Sequence, residues 1–442
     1  MSDHLRIGVF VNSFPVVSET FILRQVTGLL EMGHDVRIFA DTPPDGSAPV
    51  HRDFDRFKLS TRTHYIDAPP ESIPWELPAT PLLGRTWPPG GSKSIANWRR
   101  LASALPRLIH CALRTPRLTR QVLNQRLYRY QAASLSGLYR LASLCRAPGG
   151  YDILHAHFGP VGNSFRFARS LWRAPLVVSF HGYDFSTRPR QEGPSLYQEL
   201  FREADLFTVG SSFSQTAVEK LGAPREKLQR LPVGFSLEDF PFRERTLQPG
   251  ETVRLLTIAR LVPIKGHEYA LRAVALLKTR FPALHYDIVG DGPLRESLQA
   301  LTGELGLARN VTFHGAQSGE AIANLLTQAH LFLLTSVNIE GDQEGQGLVL
   351  QEAQACGLPV VATEHGAFPE GLVDGKSGFL VPERDTEALA ARLQRLISNA
   401  AAWPAIGNAG RAFVQDRYDI RKLNHRLLSL YADARQAYRN IA

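Results

Sequence analysis

Two glutamates, Glu344 and Glu352, stand eight residues apart in EGDQEGQGLVLQEAQACGLPVVAT, residues 340–363. Gly345 and Gly347 flank Gln346 just after the first, and an apolar pattern of helical spacing runs from Leu348 past the second. Glycines before such a pattern mark a helix start, where free backbone N–H groups and the positive dipole end favour an anion. At a rise of ~1.5 Å per residue, Glu352 would lie about a turn and a half into that helix, with Glu344 just outside it. The spacing does not by itself give the ~5–9 Å carboxylate pair of glycoside hydrolysis. It suits two contacts on one extended ligand, because carboxylates accept hydrogen bonds from sugar or ribose hydroxyls. An ordinary loop-to-helix transition is the plain alternative.

Arg260 and Lys265, in TIARLVPIKGHEY, follow one expected strand and precede a helix. Two cations at the carboxyl edge of a parallel sheet, beside a helix N-terminus, suit a diphosphate, although surface charge would look the same. Gly266 would let the backbone approach the helix closely. In GDGP, Gly290 to Pro293, glycine permits a sharp turn and proline suits the first helical position. The turn explains the motif alone, and a close approach to a cofactor is its second reading. His181, in SFHGYD, follows an apolar strand and is either a polar ligand contact or a buried, hydrogen-bonded histidine. His155 and His157 alternate at another strand end without a third metal ligand at suitable spacing, so no metal site is expected. The Walker, GxGxxG and GxSxG patterns are all missing.

Those residues need elements to hold them. At 442 residues the chain should form two or three domains. Hydrophobic residues make up 44% and charged residues 21%, a globular balance. LRIGVFV, a helix capped by Ser18 and stopped by Gly33, and HDVRIFA open a parallel α/β unit. YDILHAHFG, PLVVSFHGYD and ADLFTVGSS continue it. A second parallel α/β series begins at VRLLTIAR and runs through LHYDIVGDGP, NVTFHG, HLFLLTS, LPVVAT and SGFLVP. The expected fold class is therefore α/β, with two Rossmann-like parallel-sheet domains. The boundaries read 1–240 for the N-terminal domain, 241–418 for the C-terminal domain, and 419–442 for a final helix.

Residues 41–92 are rich in Pro, Asp, Thr and Ser. From Ser92 to Gly150 there is no Asp or Glu, against eleven cations from Lys93 to Arg146, more than the net charge of +8. This basic helical insertion, about 92–150, places Trp98, Leu101, Leu105, Leu108 and Ala112 on one face. Its arginines either cover the solvated side of helices packed on a core or meet an anionic membrane. Nucleic acid is the weakest partner, since no zinc-finger or RNA-binding aromatic motif occurs. Cys111, Cys145 and Cys356 are distant in sequence and odd in number, which fits a reducing compartment. The N-terminus reads as a strand, and no apolar run reaches the ~20 residues of a membrane span. A cytoplasmic protein is expected, placed at most peripherally on the inner face of the cell membrane.

Taken together, ARLVPIKG, GDGP and EGQGLVLQEAQACGLPVVAT resemble the retaining GT-B glycosyltransferases of family 4, especially the bacterial exopolysaccharide and colanic-acid-type subgroup. The resemblance runs through most of the chain and is strongest from Arg254 to Pro382. It implies a GT-B fold whose two domains face across a cleft, with the last helix crossing back to the first domain. Arg260 and Lys265 then resemble the diphosphate clamp, and Glu352 the ribose ligand. Glu344 resembles the acid facing the donor sugar, and His181 the N-terminal histidine near that sugar and its phosphate. Gly290 and the helix start Gly345, Gln346, Gly347 and Leu348 also fall to the donor. HGAFPE, His365 to Glu370, matches the loop after the next strand, and FPVVSETFILRQ resembles the acceptor-side opening of the subgroup. The chain has NSFPVVSET where many relatives have two glycines, Gln346 where many have Phe or Leu, and Ala367 where many have Gly.

The implied reaction is metal-independent hexosyl transfer, with retention, from a UDP- or GDP-sugar donor. The acceptor is a hydroxyl of a glycan or of a polyprenyl-diphosphate-linked glycan, in exopolysaccharide or cell-surface polysaccharide synthesis. No tightly bound cofactor is implied. The rival readings are a phosphorylase or a sucrose/trehalose-type synthase on the same architecture, and a non-enzymatic module that binds anionic membrane or nucleic acid.

Overall fold

The computed structural model describes residues 4–16, 19–43, 52–68, 93–317 and 319–441. Ser18 and much of the proline-rich stretch 41–92 lie outside the described residues. The chain divides into two compact units, Met1–Val209 with Gln215–Leu231 and Asn424–Ala442, and Gly210–Ser214 with Pro232–Leu423.

The first unit holds a seven-stranded sheet. Its strands are β1 (Arg6–Ser13), β2 (Asp35–Thr42), β3 (Thr63–Tyr65), β4 (Ile153–His157), β5 (Leu176–Phe180), β6 (Leu206–Val209) and β7 (Leu228–Arg230). They lie in the order β3-β2-β1-β4-β5-β6-β7, all parallel. The second unit holds β8 (Val253–Ile258), β9 (Leu284–Val289), β10 (Val311–Gly315), β11 (Leu331–Leu334), β12 (Val360–Thr363) and β13 (Gly378–Val381). These form a parallel sheet in the order β10-β9-β8-β11-β12-β13. Each unit is thus a doubly wound parallel sheet, as the alternation of strand and helix patterns predicts.

Strands buried on both faces explain the near-continuous apolar runs. Leu255, Leu331, Leu333 and Val361 enter one core of the second unit. Their neighbours Leu256, Phe332, Leu334, Val360 and Ala362 enter another on the opposite face. Strand geometry dictates this two-residue alternation.

The final helix, Ile420–Ile441, belongs to the first unit from Asn424 on. The Tyr431 hydroxyl lies 2.6 Å from His155 Nδ1, and the Arg435 guanidinium donates to Asp152 at 2.9 Å.

The basic insertion forms four helices, Lys93–Arg114, Pro116–Val122, Gln125–Ala133 and Ser136–Arg146. Part of its charge is structural. Arg140 forks onto Asp41 at 2.9 and 2.7 Å, while Arg107 and Arg146 both pair with Asp67. The face expected from the sequence does not cover a core as a whole. Ala104 and Cys111 turn inward, whereas Leu101 and Leu105 are exposed. The cysteines also differ from their distant placement in the chain: Cys111 and Cys145 come close enough to perturb one another, the Thr115 hydroxyl lies 3.9 Å from the Cys145 sulfur, and all three cysteines are free.

Candidate active site

The strand order of the second sheet reverses between β8 and β11, where the chain leaves in opposite directions and opens a crevice at the carboxyl ends. The loop after β8 carries Arg260 and Lys265, and the loop after β11 carries Glu344. The two loops are tied together. The Thr335 hydroxyl donates to the Gly266 carbonyl at 3.0 Å, and Val337 N–H to the Ile264 carbonyl at 2.8 Å.

Lys265 Nζ donates to Glu344 Oε1 at 2.5 Å, in a pair that is largely buried on both sides. Burial opposes ionisation of Glu344, but Lys265 beside it and Arg260 nearby hold its carboxyl below the usual range. Its backbone is equally constrained. Glu344 N–H donates to Nε2 of the fully buried His365 at 3.0 Å, so the ring proton sits on Nδ1, which donates to Glu383 at 2.6 Å. The other Glu383 oxygen accepts from Asn338 N–H at 2.7 Å. Glu383 and His365 thereby position Glu344 through its main chain. Arg260 is exposed and has no ion-pair partner among the described residues.

Glu352 lies in the helix Leu348–Ala355, where Leu350 and Ala353 take the buried positions while Leu348 and Val349 are half-buried. Its carboxyl accepts no hydrogen bond from any described residue. Burial and the neighbouring Asp239 push its pKa up to about 7. A carboxyl held near neutrality by burial can accept from hydroxyl donors once it ionises. Gln346 is engaged differently. Its Oε1 accepts from Val233 N–H and its Nε2 donates to the Val233 carbonyl, both at 2.8 Å, which staples residue 233 to the helix start.

Glycine is required at several of these turns by space as well as by backbone angle. A Cβ on Gly290 would stand 2.0 Å from the Ala259 carbonyl oxygen, so GDGP lets the loop after β9 nest against the loop after β8. Gly347 has φ +74° and faces the Phe368 ring. Gly266, at φ +58°, would place a Cβ 2.0 Å from the Thr335 carbonyl oxygen. Gly266→Ala is therefore expected to separate the two site loops, lowering stability by about 2–4 kcal/mol in denaturant unfolding and weakening donor binding.

In the first unit, β1, β4 and β5 are adjacent, and the carboxyl ends of β4 and β5 bring together His157 and His181. His157 Nδ1 and His181 Nε2 lie 3.1 Å apart with the rings stacked. Phe21 packs on His181 at 4.8 Å and Phe158 at 4.7 Å. Desolvation lowers the His181 pKa to about 3, leaving an uncharged hydrogen-bonding ring. Buried Asp184 holds the turn, accepting from the backbone N–H groups of His181, Gly182 and Gly159. His155 is also uncharged and spends its ring nitrogens on Tyr431 and Ser179. Among the described residues, no group of three or more His, Cys, Asp or Glu is placed to hold a metal ion.

The structure therefore gathers Arg260, Lys265 and Glu344 at the second switch point, with Gly345, Gly347 and Leu348 in the helix start that follows. His181 belongs to the first unit. Sequence reasoning passed over His365, Glu383 and Asp239, although HGAFPE stood out. It also passed over Glu19, whose half-buried carboxyl accepts no hydrogen bond from any described residue and is raised by burial to about 7. The only signal for Glu19 was its place in VSETF.

The model of glycosyl transferases group 1 matches residues 239–413, and that of the glycosyl transferase 4-like domain matches residues 18–234. The putative colanic acid biosynthesis glycosyltransferase WcaL of Escherichia coli strain K12 is 32% identical over 437 residues, covering 96% of this chain and 99% of that protein. The amylovoran biosynthesis glycosyltransferase AmsK of Erwinia amylovora is 33% identical over 422 residues, covering 94% and 96%. Among solved structures, Anabaena Alr3699/HepE in complex with UDP-glucose superposes with a TM-score of 0.66 over 97% of this chain and 100% of that one, at 18% identity. At that identity the likeness speaks to the fold.

Proposed function

The chain belongs to the family-4 glycosyltransferases of GT-B type related to the colanic acid and amylovoran biosynthesis enzymes, and from that premise we propose that it moves a sugar from a nucleotide diphosphate sugar to a glycan hydroxyl in exopolysaccharide synthesis. The observation that carries this reading is the buried Lys265–Glu344 pair at a sheet switch point, one helix start away from Glu352, whose carboxyl has no partner among the described residues.

The roles follow from chemistry. Lys265 has three N–H donors, so it can keep Glu344 and still meet a phosphate oxygen. Arg260 and the N-terminus of the helix Leu348–Ala355 add positive charge where the diphosphate leaves. Glu344 accepts from hydroxyls of the transferred sugar, and Glu352 accepts from the ribose. Gly290 and the Gly345–Leu348 turn bring backbone to the donor, while the Gln346 side chain shapes the site through Val233. His181 contributes an uncharged imidazole on the sugar side, and Glu19 a carboxyl on the acceptor side. The bond from the anomeric carbon to the diphosphate breaks, the bond to the acceptor oxygen forms on the same face, and the acceptor proton passes to the departing phosphate. The acceptor is a glycan on a polyprenyl diphosphate carrier, reached at an anionic membrane surface through residues 92–150.

Incubation with a panel of UDP- and GDP-sugars and a short lipid-linked glycan tests the reading. Free nucleoside diphosphate and an acceptor longer by one sugar, with the donor's anomeric configuration, are expected. Release of sugar 1-phosphate from a glycan with inorganic phosphate, and no use of any sugar nucleotide, would instead identify a phosphorylase.

A further inference from the structure

We propose that the outer face of the helix Lys93–Arg114 lies in the headgroup boundary of an anionic lipid bilayer, a refinement that rests on the membrane-surface reading above and names the side chains that make the contact. Leu101, Leu105, Ile109 and Leu113 are 62, 56, 54 and 80% exposed. They recur every fourth residue, a spacing that on a helix draws one slanted stripe about 18 Å long over about a third of the circumference. Single exposed apolar side chains are ordinary on a protein surface, but a continuous line of four on one helix is not.

The charges around the stripe select its partner. Arg107, Arg140 and Arg146 are occupied by Asp67 and Asp41. Arg117, Arg120 and Arg126 are exposed and have no ion-pair partner among the described residues, and Arg114 meets only the Cys145 carbonyl, at 3.4 Å. These four follow the stripe at its C-terminal end, in a stretch without Asp or Glu. Apolar side chains entering the acyl boundary by ~5–10 Å beside arginines at headgroup level is the arrangement of an interfacial helix. A nucleic acid would satisfy the arginines and leave the leucines in water. A second copy docked by two-fold symmetry would cover the leucines with the same basic stretch facing itself. No helix among the described residues is long and apolar enough to cross a membrane, so this helix would lie on the bilayer.

The test uses the full chain and sedimentation with vesicles of phosphatidylglycerol and phosphatidylethanolamine, against phosphatidylcholine vesicles, with no sugar nucleotide present. The wild-type chain is expected to partition onto the anionic vesicles and to come off with added salt. Leu105→Gln with Ile109→Gln, and separately Arg117→Gln with Arg120→Gln, should each weaken partition about tenfold. Sugar transfer to a water-soluble acceptor should stay unchanged in both, which separates failure of this surface from failure of the transferase reading. An Ile109→Trp chain should show a blue-shifted emission on anionic vesicles and no shift on phosphatidylcholine. Absence of wild-type binding, unchanged binding of the Leu105/Ile109 variant, or no shift at Trp in position 109 would each overturn the proposal. So would a fall in solution mass in the glutamine variant, which would assign the stripe to a second copy.

Discussion

Lys265→Met is expected to lower kcat/KM for sugar transfer by about 10³-fold or more and to destabilise the second unit by about 3–5 kcal/mol, and adding Glu344→Gln should restore the stability without the activity. The reason lies in what each substitution leaves behind. Lys265 is the buried cation against Glu344, at 2.5 Å. Its removal strands a carboxylate that burial already disfavours, and Glu344 would regain its proton toward neutral pH. The double variant buries a neutral amide beside an apolar chain, so the stranded charge is gone. It still lacks the cation for the departing diphosphate, and stability and catalysis separate. In the wild-type chain the Glu344 pKa is depressed, so its contribution is present at neutral pH and is lost as the pH falls through its folded-state pKa. That acid-side loss should disappear in the double variant. Urea unfolding across pH and steady-state transfer rates measure both halves. Equal losses of activity and stability that recover together would mean the pair only holds the loops.

Glu352→Gln should do the reverse, raising stability while weakening the donor. The folded-state pKa of about 7 lies above the ordinary value of 4.5, so the folded chain holds this proton more tightly than the unfolded chain. Below about pH 4.5 both states are protonated and Glu352 has no net effect. As the pH rises toward 7 the unfolded state ionises first, stability falls, and above 7 the full cost remains. Partial exposure reduces that cost to about 1–3 kcal/mol, worth a few degrees in the thermal midpoint. The glutamine variant should therefore be the more stable chain at pH 8, with the difference vanishing near pH 4.5. Donor affinity should drop about 10- to 100-fold at pH 8, because an amide accepts less strongly than a carboxylate from ribose hydroxyls. Wild-type affinity should itself tighten as the pH rises through 7. A variant that binds donor like the wild type would place the ribose elsewhere.

Much of this arrangement was legible in the chain because it is local. Strand, loop and helix patterns placed Arg260 and Lys265 after β8, and the glycines around Gln346 marked the start of the helix bearing Glu352. What the sequence did not reveal depends on partners remote in the chain. The hydrogen bonds from Glu344 to His365 and on to Glu383 cross two strand ends. Asp239 reaches Glu352, and Val233 reaches Gln346, only through tertiary folding. The insertion shows the same limit. Its helical periodicity was visible, but whether Leu101 and Leu105 face a core or solvent depends on what packs against the other side of the helix. Likewise, an acid-free run could not show that Arg107, Arg140 and Arg146 find carboxylates outside it.

The most direct measurement is calorimetric titration of UDP- and GDP-sugars into the full chain and into its Lys265→Met and Glu352→Gln variants. Saturable binding of a sugar nucleotide to the wild type, abolished by Lys265→Met and weakened at pH 8 by Glu352→Gln, is the predicted result. Binding that is indifferent to both substitutions, or no binding of any sugar nucleotide, would contradict a donor site built on the Lys265–Glu344 pair and Glu352.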